Sequence, residues 1–141
     1  MSIPVLVLLG FAAWTLLTLT ASIGVYRWSR ILTGRATVAE WRADMAQGSD
    51  WYQRAMRAHM NCIENLPVYT AIVVALVATG LQSSTIDRLA IVMLIARIGQ
   101  TLVHIVLTPT NAVSSLRFAL YFVQAACMTA MGIIVAMRAL A

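Results

Sequence analysis

The sequence contains no lysine: all ten of its basic residues are arginine, and only five acidic residues oppose them. Charge of either sign is scarce at 11% of the chain, against about 25% in soluble domains. The net charge of +5 therefore does not describe a basic surface. No basic run and no patch of arginines interleaved with aromatics occurs, so nucleic acid is not an expected partner. The two cysteines, Cys62 and Cys127, both sit inside apolar stretches. That excludes a disulfide framework and a metal-binding spacing, and no metal is expected. Both read as packing residues, although Cys62 adjoins a polar stripe. Internal repeats and low-complexity segments are also missing. The N-terminus lacks the positive leader and the small-residue cleavage site of a signal peptide, and its apolar run exceeds the usual core of about 7–15 residues. We read it as a retained helix.

What the chain has in abundance is apolar length. Hydrophobic residues make up 61% of it and the mean hydropathy is +0.83. Four stretches reach the roughly 20 residues that a bilayer crossing needs. The expected fold is an all-α membrane protein, a bundle of four transmembrane helices in one domain over 1–141, with helices at about 3–28, 49–80, 85–107 and 113–138. Pro4 suits a first helical turn. Pro67 removes the hydrogen bond to the Ile63 carbonyl and is expected to bend the second helix. The third helix ends before Pro109. Arg27, Arg30, Arg35 and Arg42 share the first loop with Glu40, Asp44 and Asp50. By the excess of arginine this loop, 27–50, is cytoplasmic and both termini lie outside. The expected location is multi-pass in a membrane, a bacterial inner membrane in this reading.

Polar residues interrupt the apolar helices in a pattern. At about 100° per residue, Arg54, Arg57, Asn61 and Glu64 fall within roughly 80° of one another on the second helix. His59 points away, roughly 200° from Arg57 by the same step. In the third helix Arg97, Gln100, Thr101 and His104 recur at i, i+3, i+4 and i+7; in the fourth, Arg117, Tyr121 and Gln124 recur at i, i+4 and i+7. At a rise of about 1.5 Å per residue, Glu64, Arg97, Gln100, His104 and Arg117 all fall in the cytoplasmic half. Ionisable residues inside a membrane mark function by default. Arg57, Arg97 and Arg117 outnumber Glu64, so after one Arg–Glu pair the surplus guanidiniums call for an anion.

The segment Arg57-Ala-His-x-Asn61-x-x-Glu64, followed by Pro67, resembles the second-helix signature of the MAPEG family, the membrane-associated proteins in eicosanoid and glutathione metabolism. Arg97 with His104 resembles the family's third-helix pattern, and Arg117 with Tyr121 its fourth. The resemblance covers essentially the whole chain. It implies a four-helix protomer that forms a homotrimer and binds glutathione, as co-substrate, between subunits. It implies that Arg57, Asn61 and Glu64 hold glutathione, that Arg97, His104, Tyr121 and Arg30 assist, and that Arg117 faces the thiol as the catalytic cation. This chain departs from the family in places: His104 stands where the eicosanoid enzymes usually have Tyr, and Met60 and Phe118 stand where the prostaglandin synthase has Arg and Ser. These departures argue against a particular eicosanoid activity.

The expected function is a membrane-bound glutathione transferase or peroxidase, in which a glutathione thiolate attacks lipophilic electrophiles drawn from the surrounding lipid. The alternative is a non-enzymatic trimer that binds an anionic lipid or stabilises a partner. A small four-helix drug transporter is disfavoured, because that class places a carboxylate in the first helix and none occurs between Ile3 and Tyr26.

Overall fold

The first helix starts where Pro4 can occupy an initial turn without losing a needed hydrogen bond. A computed structural model describes residues 1–41 and 47–140. Helix α1 runs over Ile3–Leu32, past the apolar stretch and into the arginine-bearing segment. Its middle, Leu19–Gly24, is π-helical. The hydroxyls of Thr15 and Thr18 bond back to the carbonyls of Phe11 and Trp14 at 2.9 and 2.8 Å, and Ser22 bonds back to Thr18. Such back-bonding competes with the regular ladder just where the helix widens. The helix stops at Gly34, whose φ of 67° lets Gly34 N–H reach the Ile31 carbonyl at 3.0 Å and Arg35 N–H the Arg30 carbonyl at 2.8 Å. This paired bonding closes a helix end that only a residue free of Cβ strain adopts readily. Arg42 and Asp44, counted above in the loop's charge, lie outside the described residues.

Helix α2, Asp50–Thr79, begins at Ser49, whose hydroxyl accepts the Tyr52 N–H at 3.3 Å, with Asp50 in the first turn. Both features satisfy the positive end of the helix. At 30 residues it is about 45 Å long, more than the roughly 30 Å hydrocarbon core, so its first turns extend into the interface. It passes through Pro67 as one continuous helix and ends at Gly80, φ 63°. Helix α3, Ser84–Val106, stops as Leu107 turns extended two residues before Pro109. Helix α4, Asn111–Leu140, starts from Thr110, which accepts the Val113 N–H on its hydroxyl at 3.2 Å and the Ser114 N–H on its carbonyl at 2.8 Å. All four helices are long and apolar enough to cross a membrane, and among the described residues no strand occurs.

Two apolar clusters bracket the middle of the bundle. The larger joins Val7 and Phe11 of α1, Tyr69, Val73 and Leu76 of α2, Ile86 and Met93 of α3, and Met131 and Val135 of α4. Tyr69 ties α2 to the start of α1 by donating its hydroxyl to the Pro4 carbonyl at 3.1 Å. The smaller cluster, at the loop end, centres on Ile23, Tyr52 and Ala55. There Tyr26 stacks on Tyr52 at 4.4 Å, and the Arg27 guanidinium lies over Trp41 and Tyr52 while Nε donates to the Tyr52 hydroxyl at 2.7 Å. That cap locks α1 to α2 and fixes the end of the bundle on which the polar stripes converge.

Candidate functional site

Between the two apolar clusters lies a belt of buried polar groups. Arg97, the largest fully buried side chain, is 1% exposed. Its Nη1 donates to Gln100 Oε1 at 3.0 Å, its guanidinium sits over the Phe11 ring at 5.5 Å, and its Nε and Nη2 have no partner. Thr101 bonds back to the Arg97 carbonyl at 3.0 Å and touches the Cys62 sulfur at 3.7 Å. Gln100 Oε1 also accepts from Gln124 Nε2 at 3.2 Å, and Gln100 Nε2 donates to the backbone carbonyl of Arg117 at 3.2 Å. The third- and fourth-helix stripes therefore meet inside the protomer, held by side-chain amides.

His104, one turn toward the loop end, is 4% exposed and its Nδ1 has no partner. Its charged neighbours are Arg117 of α4 and Arg57 and Arg54 of α2. Arg117 is half-buried and its Nε is another buried nitrogen without a partner. Glu64 and Tyr121 lie within electrostatic range of Arg97. Tyr121 also opens onto a cavity of about 290 Å³ between α2 and α4, lined with Asn65, Val68, Ile72 and Met128.

The second-helix stripe divides. Arg54 is buried, paired with Asp50 one turn earlier, and donates Nε to the Ile105 carbonyl at 3.3 Å. Arg57 and Glu64 are exposed on the protomer and Asn61 is half-exposed. The structural pair expected between Glu64 and an arginine is absent among the described residues, where the ion pair is Arg54 with Asp50. The reason is geometric: Arg54 sits at the edge of the stripe that turns toward α3 and reaches the Ile105 carbonyl, whereas Glu64 is exposed on the protomer and comes within electrostatic range of Arg97 without pairing with it. His59 is buried against Thr15 of α1, its Nδ1 without a partner, so it serves helix–helix packing. Arg30 has other neighbours, standing over the Tyr26 ring at 5.7 Å and lining a cavity of about 170 Å³ with Glu40, Trp41 and Gly48.

Residues 5–137 match the sequence model of the MAPEG family. The chain belongs to the MAPEG family. No curated protein and no solved structure gives a significant match. The family contains glutathione transferases and peroxidases as well as non-enzymatic members, and membership places this MAPEG chain among integral membrane proteins with four spanning helices. Gln124, which braces the polar belt, and Asp50, which pairs with Arg54 at the loop end, were not read as site residues from sequence. Gln124 falls in the fourth-helix stripe, and Asp50 stands four residues before Arg54, the spacing of an ion pair on a helix; both signals were legible.

Proposed function

We propose that this MAPEG protein is a glutathione transferase or peroxidase that presents a glutathione thiolate to lipophilic electrophiles within the membrane. The observation that carries the reading is the imbalance of charge along the three polar stripes: Arg57, Arg97 and Arg117 form no ion pair with a carboxylate among the described residues, and Arg57 and Arg117 both neighbour His104. Guanidiniums in a membrane need an anion or a dense set of acceptors, and a tripeptide with two carboxylates and an ionisable thiol offers both. In this reading Arg57 pairs with a carboxylate, Arg97 assists from inside the bundle, Asn61 and Tyr121 donate to the ligand, His104 borders it, and Glu64 takes its amino group; Arg30 assists from the loop end.

Arg117 has the catalytic role. A free thiol titrates near about 8.5 and is a weak nucleophile until it ionises. A guanidinium beside the sulfur stabilises the thiolate, and one pKa unit corresponds to about 1.4 kcal/mol. The lipophilic electrophile approaches from the bilayer side, where the groove at Tyr121 continues into a second, apolar one of about 460 Å³ lined by Ala71, Ile72, Gly132 and Val135. Because Arg57 and Glu64 face outward, a neighbouring copy completes the site in a homotrimer. The alternative, a non-catalytic trimer that holds an anionic lipid, draws on the same outward face.

The two readings separate in a thermal-shift measurement in detergent. Glutathione raises the melting temperature if the first holds. Anionic lipid does so, and glutathione does not, if the second holds. Arg117→Ala is then expected to keep glutathione binding within a few-fold, lose the thiolate absorbance near neutral pH, and conjugate chlorodinitrobenzene far more slowly; a variant that keeps both signal and rate removes Arg117 from the chemistry. The orientation with termini outside and 27–50 inside belongs to the same proposal. Labelling of cysteines placed at Gly48 and near the C-terminus is expected to find them on opposite sides.

A further inference from the structure

Gln100 and Gln124 are buried amides to which the proposed chemistry gives no task. They are 5% and 0% exposed. Gln100 uses both ends of its side chain: Oε1 accepts from Arg97 Nη1 at 3.0 Å and from Gln124 Nε2 at 3.2 Å, and Nε2 donates to the Arg117 carbonyl at 3.2 Å. Gln124 Nε2 donates in addition to the Leu120 carbonyl at 2.8 Å. A hydrogen-bonded path thus runs from the most deeply buried cation of α3 to the backbone of the residue that carries the guanidinium of α4. Gly99, beside Gln100, faces Leu120 of α4, and a Cβ there would meet the Leu120 methyls at 3.8 Å. Gly99 thus stands at the contact between the two helices, where a Cβ would make ordinary van der Waals contact.

Apolar contact alone sets the register of membrane helices weakly, because lipid tails are as apolar as leucine; small residues and interhelical hydrogen bonds do the specifying. Along α3 and α4 those bonds are concentrated at Gln100. A carbonyl has a second lone pair for such a bond, so the tether to Arg117 does not require breaking the helix.

We infer that Gln100, braced by Gln124, is a positioning residue for Arg117: the amide relay fixes the height and rotation of the first turns of α4 and so the place of the Arg117 guanidinium at the thiol. The inference rests on the role proposed above for Arg117. It differs from a purely structural role because it acts on the thiol through Arg117 and not through the amount of folded protein.

The test compares wild type, Gln100→Met, Gln124→Met, the double variant and Arg117→Ala as purified full-length protein in detergent. The readouts are the absorbance of bound glutathione thiolate against pH and the steady-state conjugation of chlorodinitrobenzene. Methionine keeps the volume and removes the amide. Small displacements of a catalytic group cost rate steeply, so Gln100→Met is expected to lower kcat about tenfold while KM for glutathione stays within about twofold. Its thiolate signal should appear only at higher pH. Gln124→Met should lower kcat less, about threefold, and add nothing in the Gln100→Met background, since it acts through Gln100. If Gln100→Met does not assemble, Gln124→Met carries the test, because it removes the brace without touching the Arg117 carbonyl. A thiolate titration unchanged in these variants, alongside a lost signal in Arg117→Ala, overturns the inference and leaves the role of Arg117 standing. An unchanged signal in Arg117→Ala overturns both.

Discussion

The polar stripe of α3 and the polar stripe of α2 obey the same spacing and come to opposite ends. Arg97, Gln100 and His104 turn into the bundle, where Arg97 and Gln100 find Gln124, Phe11 and the Arg117 carbonyl. Arg57, Asn61 and Glu64 turn out, and among the described residues the side chain of Arg57 reaches only the carbonyl of Gln53 at 3.4 Å. Periodicity announces that a face is polar; it does not announce what the face meets. A polar face turned inward holds the protomer together. One turned outward in a membrane is incomplete until a ligand or another copy covers it.

Substitutions that affect one face and spare the other sharpen this contrast. Arg97→Ala is expected to have the largest effect, about 3 kcal/mol of stability, because it opens a cavity and takes one of the two donors from Gln100 Oε1. Its melting temperature in detergent should fall with or without glutathione. Gln124→Leu should cost about 1–2 kcal/mol by leaving Gln100 one donor short, again without a ligand in play. Glu64→Gln should leave stability unchanged and weaken glutathione binding about threefold, as expected when a charged partner becomes neutral at an exposed site; calorimetric titration measures it. A destabilised Glu64→Gln would place that carboxylate in the architecture, against the contrast drawn here.

Much of this was legible in the sequence because membrane helices must satisfy their own backbones and cannot hide charge cheaply. The four spans, with the second at about 49–80, follow from apolar length, and the family from Arg57, Asn61, Glu64 and Pro67. The direction of each stripe was not legible. Arg54 and Arg57 look equivalent on a helical wheel, yet Arg54 reaches the Ile105 carbonyl of α3 while pairing with Asp50, and Arg57 among the described residues reaches only the Gln53 carbonyl of its own helix. Gln124 was visible as part of a stripe, but its weight depends on Gln100 standing opposite, which is a fact of packing between helices. The π-helical segment Leu19–Gly24 had only the hydroxyls of Thr15, Thr18 and Ser22 to signal it.

The most direct test of the account is glutathione affinity in Arg57→Ala, measured with the melting temperature of the unliganded protein in the same detergent. Arg57 is exposed on the protomer, so its removal should shift stability by no more than about 0.5 kcal/mol. It should weaken glutathione binding by about tenfold or more, the loss of one charge-assisted contact. Wild-type affinity in Arg57→Ala, or a collapse in its unliganded stability, would contradict the assignment of the outward face to ligand binding.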